Sequence, residues 1–94
     1  MTSEQTIEVL ELYDRSLSGF PALRASPKDR QPMPSESLAH ARWMCQEAIA
    51  LVRAGKADKA NRWLGFIQGV LWSAGTFTID QMKEHNRSKE GDGG

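Results

Sequence analysis

Residues 57–74 read ADKANRWLGFIQGVLWSA, and their apolar side chains recur at the three- and four-residue spacing of one α-helical face. Phe66 and Trp72 fall on the other side of that helix. The same side carries a row of small residues: Gly65, Gly69 and Ser73. Because glycine within a helix costs about 1 kcal/mol relative to alanine, the row indicates a close crossing with another backbone. That backbone belongs either to the same protomer or to a second subunit.

A second helix is predicted directly before this one, over residues 35–54. Ser35 is placed to cap its start, and Gly55 supplies the left-handed residue that ends many helices. Its apolar stripe consists of Leu38, Ala41, Cys45, Ala48 and Val52. A connection this short predicts that the two helices form an antiparallel hairpin.

Two shorter helices are predicted outside the hairpin from a hydroxyl residue followed three positions later by glutamine, the spacing of a capping box. Thr2 with Gln5 opens a helix over residues 3–18, and Thr78 with Gln81 opens a short helix at the other end. We therefore expect an all-α fold with a short N-terminal helix, a proline-rich loop, the hairpin and a short C-terminal helix.

The chain is expected to form one helical domain over residues 1–87, followed by a charged, glycine-rich and flexible tail over residues 88–94. A domain of this size has a modest core, and small chains often complete their burial by pairing with copies of themselves. Oligomerisation is therefore expected from length alone.

The loop between the first two helices contains all four prolines, so it cannot be helical throughout: Pro21, Pro27, Pro32 and Pro34. It also carries Arg24, Lys28 and Arg30 against one acidic residue, Asp29. Loops of this length are uncommon between packed helices and are often functional when they occur.

Composition disfavours several classes of protein. The 12 Lys and Arg residues balance 12 Asp and Glu residues, whereas a protein that coats duplex nucleic acid needs a surplus of cations. No apolar stretch approaches the ~18 residues of a membrane span, and the N-terminus lacks the pattern of a signal peptide. Cys45 is the single cysteine and has no intrachain partner. We expect a soluble cytoplasmic protein.

The sequence contains no arrangement typical of a catalytic, metal or cofactor site. His40 and Cys45 are five positions apart, the wrong spacing for two ligands on one helical face. His85 lies near a helix end, where histidines contact terminal carbonyls. Three tryptophans lie at helical spacings that favour core positions over a stacking platform: Trp43, Trp63 and Trp72. We therefore expect no enzyme, metal or cofactor.

One combination does suggest a ligand. Tyr13 on the first helix offers a ring that can stack on a base, and Lys28, with Arg24 and Arg30 nearby, offers cations for phosphate. The plainer interpretation makes Tyr13 a boundary residue whose hydroxyl is in water and Lys28 a solvated charge. The pattern alone leaves both interpretations open.

These features resemble the small phage-encoded sponge proteins that counter CBASS immunity by sequestering its cyclic oligonucleotide signals. The resemblance covers most of the chain: a first helix bearing Tyr13, a proline-containing loop bearing Lys28, and a hairpin containing residues 61–69, NRWLGFIQG. That last run is similar to a segment found in small phage proteins of unassigned role, and by itself indicates phage origin more than function.

The resemblance implies a compact helical hexamer in the cytoplasm of the infected bacterium. It implies that cyclic dinucleotides such as cGAMP bind where two protomers meet, with Tyr13 stacked on a base and Lys28 on a phosphate. It also implies a second type of site, for cyclic trinucleotides, in which Arg62 matches an arginine of the hairpin. Since family members release their ligand unchanged, the implied activity is sequestration rather than catalysis.

Two other functions fit parts of the pattern. A phage protein-interaction module would occupy a host protein through exposed aromatic anchors such as Trp43 or Phe20. A helix-turn-helix protein is permitted by the short turn after Gly55, but the neutral charge and the tryptophan of the second helix disfavour it.

Overall fold

The four predicted helices are all present in a computed structural model of the chain, which describes residues 1–87. In chain order they are α1 (Ser3–Ser16), α2 (Pro34–Arg53), α3 (Ala57–Ser73) and α4 (Ile79–Asn86). The all-α class is therefore confirmed for residues 1–87, and the predicted tail, residues 88–94, lies outside the described residues. None of these helices is both long enough and apolar enough to cross a membrane.

The helix starts confirm two of the local signals in the sequence. Thr2 Oγ1 accepts a hydrogen bond from the Gln5 amide at 3.1 Å, and the Gln5 side chain accepts one from the Thr2 amide at 2.8 Å. Thr78 and Gln81 form the same reciprocal pair at the start of α4. Each pair satisfies backbone donors that the start of a helix otherwise leaves without a partner.

The turn between α2 and α3 depends on Gly55, which has a positive φ of 80°. Its amide donates to the Val52 carbonyl, and the Lys56 amide donates to the Leu51 carbonyl. These bonds use carbonyls that the end of α2 leaves free. The chain reverses within residues 54–56, and among the described helices α2 and α3 make the most extensive contact.

The start of α2 differs from the prediction. Pro34 is the first helical residue, and Met33 stands at the N-cap. Glu36 supplies the capping acceptor: its carboxylate accepts from the Met33 amide at 2.8 Å and from two Arg30 nitrogens at 2.9 and 2.8 Å. The hydrogen bond from Arg30 lowers the pKa of Glu36 to about 2. The predicted Ser35 cap is wrong because proline is well suited to the first helical position, where its missing N–H is not needed.

The core forms where α1 packs against the hairpin of α2 and α3. Most of its members come from the predicted apolar faces, although Met44 and Ile49 of α2 lie outside the predicted stripe. The largest buried side chains include Leu10, Tyr13, Leu17, Ile67 and Leu71. Thr6 is also buried, and its hydroxyl donates to the Thr2 carbonyl at 3.1 Å. The buried hydroxyl of Thr6 is therefore satisfied locally.

Residues 17–33, which we call the proline loop, are fastened to α2 by hydrogen bonds. The Leu23 carbonyl accepts from His40 Nδ1 at 3.0 Å. The Phe20 carbonyl accepts from the Arg42 guanidinium at 2.6 Å. The first half of the proline loop is thus held against the N-terminal half of α2.

The position of the core generates a test of the fold. Leu10 is 0% exposed and Leu23 is 43% exposed. We expect Leu10→Ala to lower the free energy of unfolding by about 3 kcal/mol, because it removes buried methyl groups and leaves a cavity. The matched control Leu23→Ala should cost less than about 1 kcal/mol. Urea unfolding at one protein concentration measures both, and equal losses would contradict the assignment of the core.

Candidate functional site

Tyr13, the residue predicted to stack on a base, lies in the interior of the chain with 0% of its surface exposed. Its ring centroid is 5.4 Å from that of Phe77 and 5.3 Å from that of His85. Its hydroxyl oxygen is 2.7 Å from His85 Nδ1 and 3.0 Å from Gln68 Nε2. Within one chain, in this arrangement, the ring offers no face to a nucleotide.

The Tyr13 hydroxyl both accepts and donates a hydrogen bond. Gln68 donates to the Tyr13 oxygen, which leaves the Tyr13 hydrogen to donate to His85 Nδ1. Gln68 and Asn86 also exchange two hydrogen bonds, at 2.8 and 3.2 Å. Burial raises the pKa of Tyr13 and lowers the pKa of His85, so both are held in the neutral forms that this arrangement requires. These four residues, which we call the tyrosine cluster, join α1 to α3 and α4.

The tyrosine cluster corrects two interpretations of the sequence. The Tyr13 hydroxyl is bonded to protein groups rather than to water, so the boundary interpretation is wrong. His85 was expected to contact helix-terminal carbonyls, but its Nδ1 instead accepts from Tyr13. The partners of Tyr13 are 72 and 55 residues away in the chain, and no local pattern marks them.

The cations predicted to bind phosphate lie on the surface. Arg30 is committed to Glu36 at the start of α2, at 2.8 Å. Arg24 and Lys28 are exposed, and neither makes a hydrogen bond or ion pair within residues 1–87. No such contact links Tyr13 to these cations within the described part of one chain. Of the three loop cations, Arg24 and Lys28 are therefore available to an external anion.

The surface of α3 that faces away from the core is apolar and exposed; we call it the outer face of α3. It consists of Arg62, Gly65, Phe66, Gly69, Trp72 and Ser73, all of them exposed. Phe66 is 59% exposed and Trp72 is 54% exposed. A Cβ built at Gly65 or Gly69 would meet no atom within 4 Å. A close crossing within one protomer, one of the two predicted explanations of the glycines, is therefore wrong for the described residues.

Two grooves meet at Gly69 on this face. One of about 530 Å³ runs between α3 and the proline loop, with Phe66 and Pro32 among its walls. The other, of about 270 Å³, lies between α3 and α4, with Trp72 and Ile79 among its walls. The outer face of α3 thus presents two bulky side chains next to two hollows.

The tryptophans do not form one platform. Trp43 and Trp63 pack together with ring centroids 6.0 Å apart and are partly buried against the core, whereas Trp72 is on the outer face of α3. His40 stacks on Trp43 at 5.5 Å, and Cys45 is buried, which raises the pKa of its thiol to about 12. In residues 1–87 no group of His, Cys, Asp and Glu side chains is arranged to hold a metal ion.

Comparison with known proteins leaves the site to be judged from its own residues. No protein-family model, curated protein or solved structure matches this chain. The surface features that the sequence did identify are the exposed side chains of Phe66 and Trp72 and the two free loop cations. The feature that it missed is the cover over Tyr13.

The tyrosine cluster predicts that removing the hydroxyl oxygen of Tyr13 lowers the free energy of unfolding. Tyr13→Phe keeps the ring but leaves His85 Nδ1 and the Gln68 amide without their partner, so we expect it to lower the free energy of unfolding by about 1–3 kcal/mol. Ser16→Ala, which removes an exposed hydroxyl, should cost less than about 0.5 kcal/mol. Chemical unfolding compares the two variants. A Tyr13→Phe chain as stable as the wild type would contradict the cluster.

Proposed function

We propose that this protein is a homo-oligomeric sponge of the phage anti-CBASS type, which binds cyclic di- and trinucleotides and does not cleave them. Its place of action would be the cytoplasm of an infected bacterium, where it withholds these signals from CBASS effectors. The observation that carries the proposal is the outer face of α3, an apolar surface with open glycines that residues 1–87 leave uncovered. The resemblance in sequence supplies the ligand class.

A second copy of the chain is the occupant that suits the outer face of α3. Phe66 and Trp72 project beside Gly69, where two grooves meet. In a symmetric pair each copy can place its bulky side chains into the grooves of the other, while the glycines let the two helices approach closely. Large exposed apolar patches on small proteins commonly mark such contacts. The family implies that the complete assembly is a hexamer.

The exposed cations suit a ligand with several phosphates. Arg24 and Lys28 have no anionic partner within residues 1–87, and a two-fold assembly would present each of them twice. A cyclic dinucleotide has two phosphates and near two-fold symmetry, so it matches such a site. Arg62 lies on the outer face of α3, four positions before Phe66, and is the proposed contact of a cyclic trinucleotide.

Binding without chemistry fits the state of the reactive side chains. Cys45 is buried with a raised pKa, so its thiol is poorly suited to act as a nucleophile. The Nδ1 atoms of His40 and His85 are each engaged in a hydrogen bond. Sequestration asks only for affinity, and base stacking contributes about 1–3 kcal/mol per base. For Tyr13 to provide that stacking, its cover has to open.

A phage protein-interaction module is the second candidate. The anchors predicted for it, Trp43 and Phe20, are partly buried against the core, so the exposed side chains of Phe66 and Trp72 would take that role, because aromatic anchors dominate many protein interfaces. In that case the outer face of α3 contacts a host protein rather than a second copy, and cyclic nucleotides give no binding heat.

Self-association predicts an unusual response to Gly69→Ala. In an isolated helix alanine is favoured over glycine by about 1 kcal/mol, and the space around Gly69 is open in the single chain. If a second copy packs here, the added methyl group separates the helices, and we expect the oligomer to dissociate. Light scattering coupled to size exclusion measures the mass, and Gly19→Ala, at an equally open glycine outside α3, is the control. A Gly69→Ala protein with unchanged mass would contradict the proposed interface.

Ligand binding is tested by titration calorimetry with a panel of cyclic di- and trinucleotides. We expect Lys28→Gln to weaken cyclic dinucleotide binding at least tenfold, because one charge-assisted hydrogen bond contributes about 1.5–3 kcal/mol. Lys56→Gln, which removes the same charge at the turn between α2 and α3, should leave affinity unchanged. Ligand recovered intact after heating the complex would separate storage from cleavage. Absence of binding by the whole panel would reject the sponge.

A further inference from the structure

The attachment of α4 to the rest of the chain is sparse and largely polar. Met82 is its one buried residue, and Ile79 is half exposed. Its packing within residues 1–87 is chiefly against α1, and that contact is small compared with the contact between α1 and α2. Hydrogen bonds between Tyr13 and His85 and between Gln68 and Asn86 also join α4 to α1 and α3. Segments held by few buried apolar contacts open more readily than the core does.

The connection before α4 begins with a turn at Gly75 that resembles the turn at Gly55. Gly75 has a positive φ of 76°, a conformation that glycine adopts without strain. The Thr76 amide donates to the Leu71 carbonyl at 2.9 Å, which closes the end of α3 just before the turn. The end of α3 is therefore closed by its own backbone bonds, and a movement of α4 does not require α3 to unwind.

What α4 covers is the ring that the proposed function requires. Phe77 and His85 both contact the Tyr13 ring, and both belong to α4 or its connection. Phe77 and His85 also contact each other, with ring planes at 90° and centroids 4.9 Å apart. The two rings form one lid over Tyr13.

We propose that α4 is a cover that gates Tyr13: it is latched by the hydrogen bond from Tyr13 to His85 and uncovers the tyrosine ring when that bond breaks. The gate regulates the nucleotide site, so its role in binding rests on the proposed function. The movement of α4 itself does not depend on the proposed function. If only the open form binds, the apparent affinity is the intrinsic affinity reduced by the open fraction.

The latch depends on the protonation of His85. A protonated imidazole cannot accept the Tyr13 hydrogen. It can only donate from Nδ1 to an oxygen that already accepts from Gln68, and this leaves the Tyr13 hydrogen without its acceptor. The charged groups around His85 are Glu8, Glu11 and Arg15 on α1, and Glu84 and Arg87 on its own side. Burial lowers the pKa of His85, and the charge of Glu84 opposes this.

The sign of the pH dependence follows from that shift. Because the folded pKa of His85 lies below its unfolded value of about 6.5, the latch is fully effective above that pH. It weakens as the pH falls through the folded pKa. The cover should therefore open at acidic pH.

Tyr13 is the single tyrosine, so 3-fluorotyrosine gives one fluorine NMR signal that reports on this ring alone. A soluble gadolinium chelate measures its exposure through relaxation. We expect His85→Phe, which keeps a ring over Tyr13 but removes the Nδ1 acceptor, to raise the paramagnetic relaxation rate at least threefold at pH 7.5. Lys83→Ala, an exposed change on the same helix, should not alter it. The wild-type rate should rise as the pH falls from 7.5 through the folded pKa of His85, and the His85→Phe rate should stay constant over the same range.

Circular dichroism accompanies each measurement. If His85→Phe unfolds, His85→Leu replaces it, because that change also removes the Nδ1 acceptor and keeps an apolar side chain beside Tyr13. A folded variant whose fluorine signal at pH 7.5 is as protected as that of the wild type overturns the cover.

Titration of 3′,3′-cyclic GMP–AMP separates the cover from the sponge. We expect the opened variant to bind at least threefold more tightly than the wild type, because the closed form no longer competes. If the His85 variant changes the exposure of the Tyr13 ring but neither the variant nor the wild type binds any cyclic nucleotide, the cover is supported and the sponge is rejected. Equal affinities with an unchanged fluorine signal support the sponge and reject the cover.

Discussion

The hydroxyl of Tyr13 is the group on which the arrangement of the helices depends. A phenol buried to this extent has to satisfy its oxygen, since an unpaired buried polar atom costs more than one hydrogen bond contributes. Gln68 of α3 and His85 of α4 provide the two partners, and they do so at one point in space. One side chain of α1 thereby fixes where the last helix lies, although that helix buries little apolar surface of its own.

The helices could be predicted from the sequence because their signals are local. Capping pairs such as Thr2 with Gln5, and the left-handed Gly55, act within a few residues and owe little to the rest of the molecule. The predicted Ser35 cap of α2 is wrong because Ser35 satisfies the same statistical preference as a true cap, whereas Glu36 takes the role by accepting from the Met33 amide and is also bonded to Arg30 of the loop. Helical residue spacing does not predict an ion pair between a loop residue and a helix residue.

The candidate site could be predicted only in part. Phe66 and Trp72 were placed on the outer face of α3 by periodicity alone, and this is confirmed. Tyr13 was expected to be accessible because its neighbours in sequence give no sign of a cover; the cover comes from the opposite end of the chain. Burial by a distant segment depends on tertiary packing, which residue spacing does not specify. For the glycines of α3 the sequence left two explanations, a close helix crossing within one protomer or with a second subunit. The open space around Gly69 excludes the crossing within one protomer for the described residues.

The Arg30–Glu36 pair has a consequence for any anion that approaches the proline loop. Glu36 terminates the loop and opens α2 at the same time, because its carboxylate binds both the guanidinium and the Met33 amide. An anion that drew Arg30 away would leave the Glu36 carboxylate bonded to the Met33 amide alone. Arg30 therefore joins the end of the proline loop to α2, whereas Arg24 and Lys28 make no hydrogen bond or ion pair within residues 1–87.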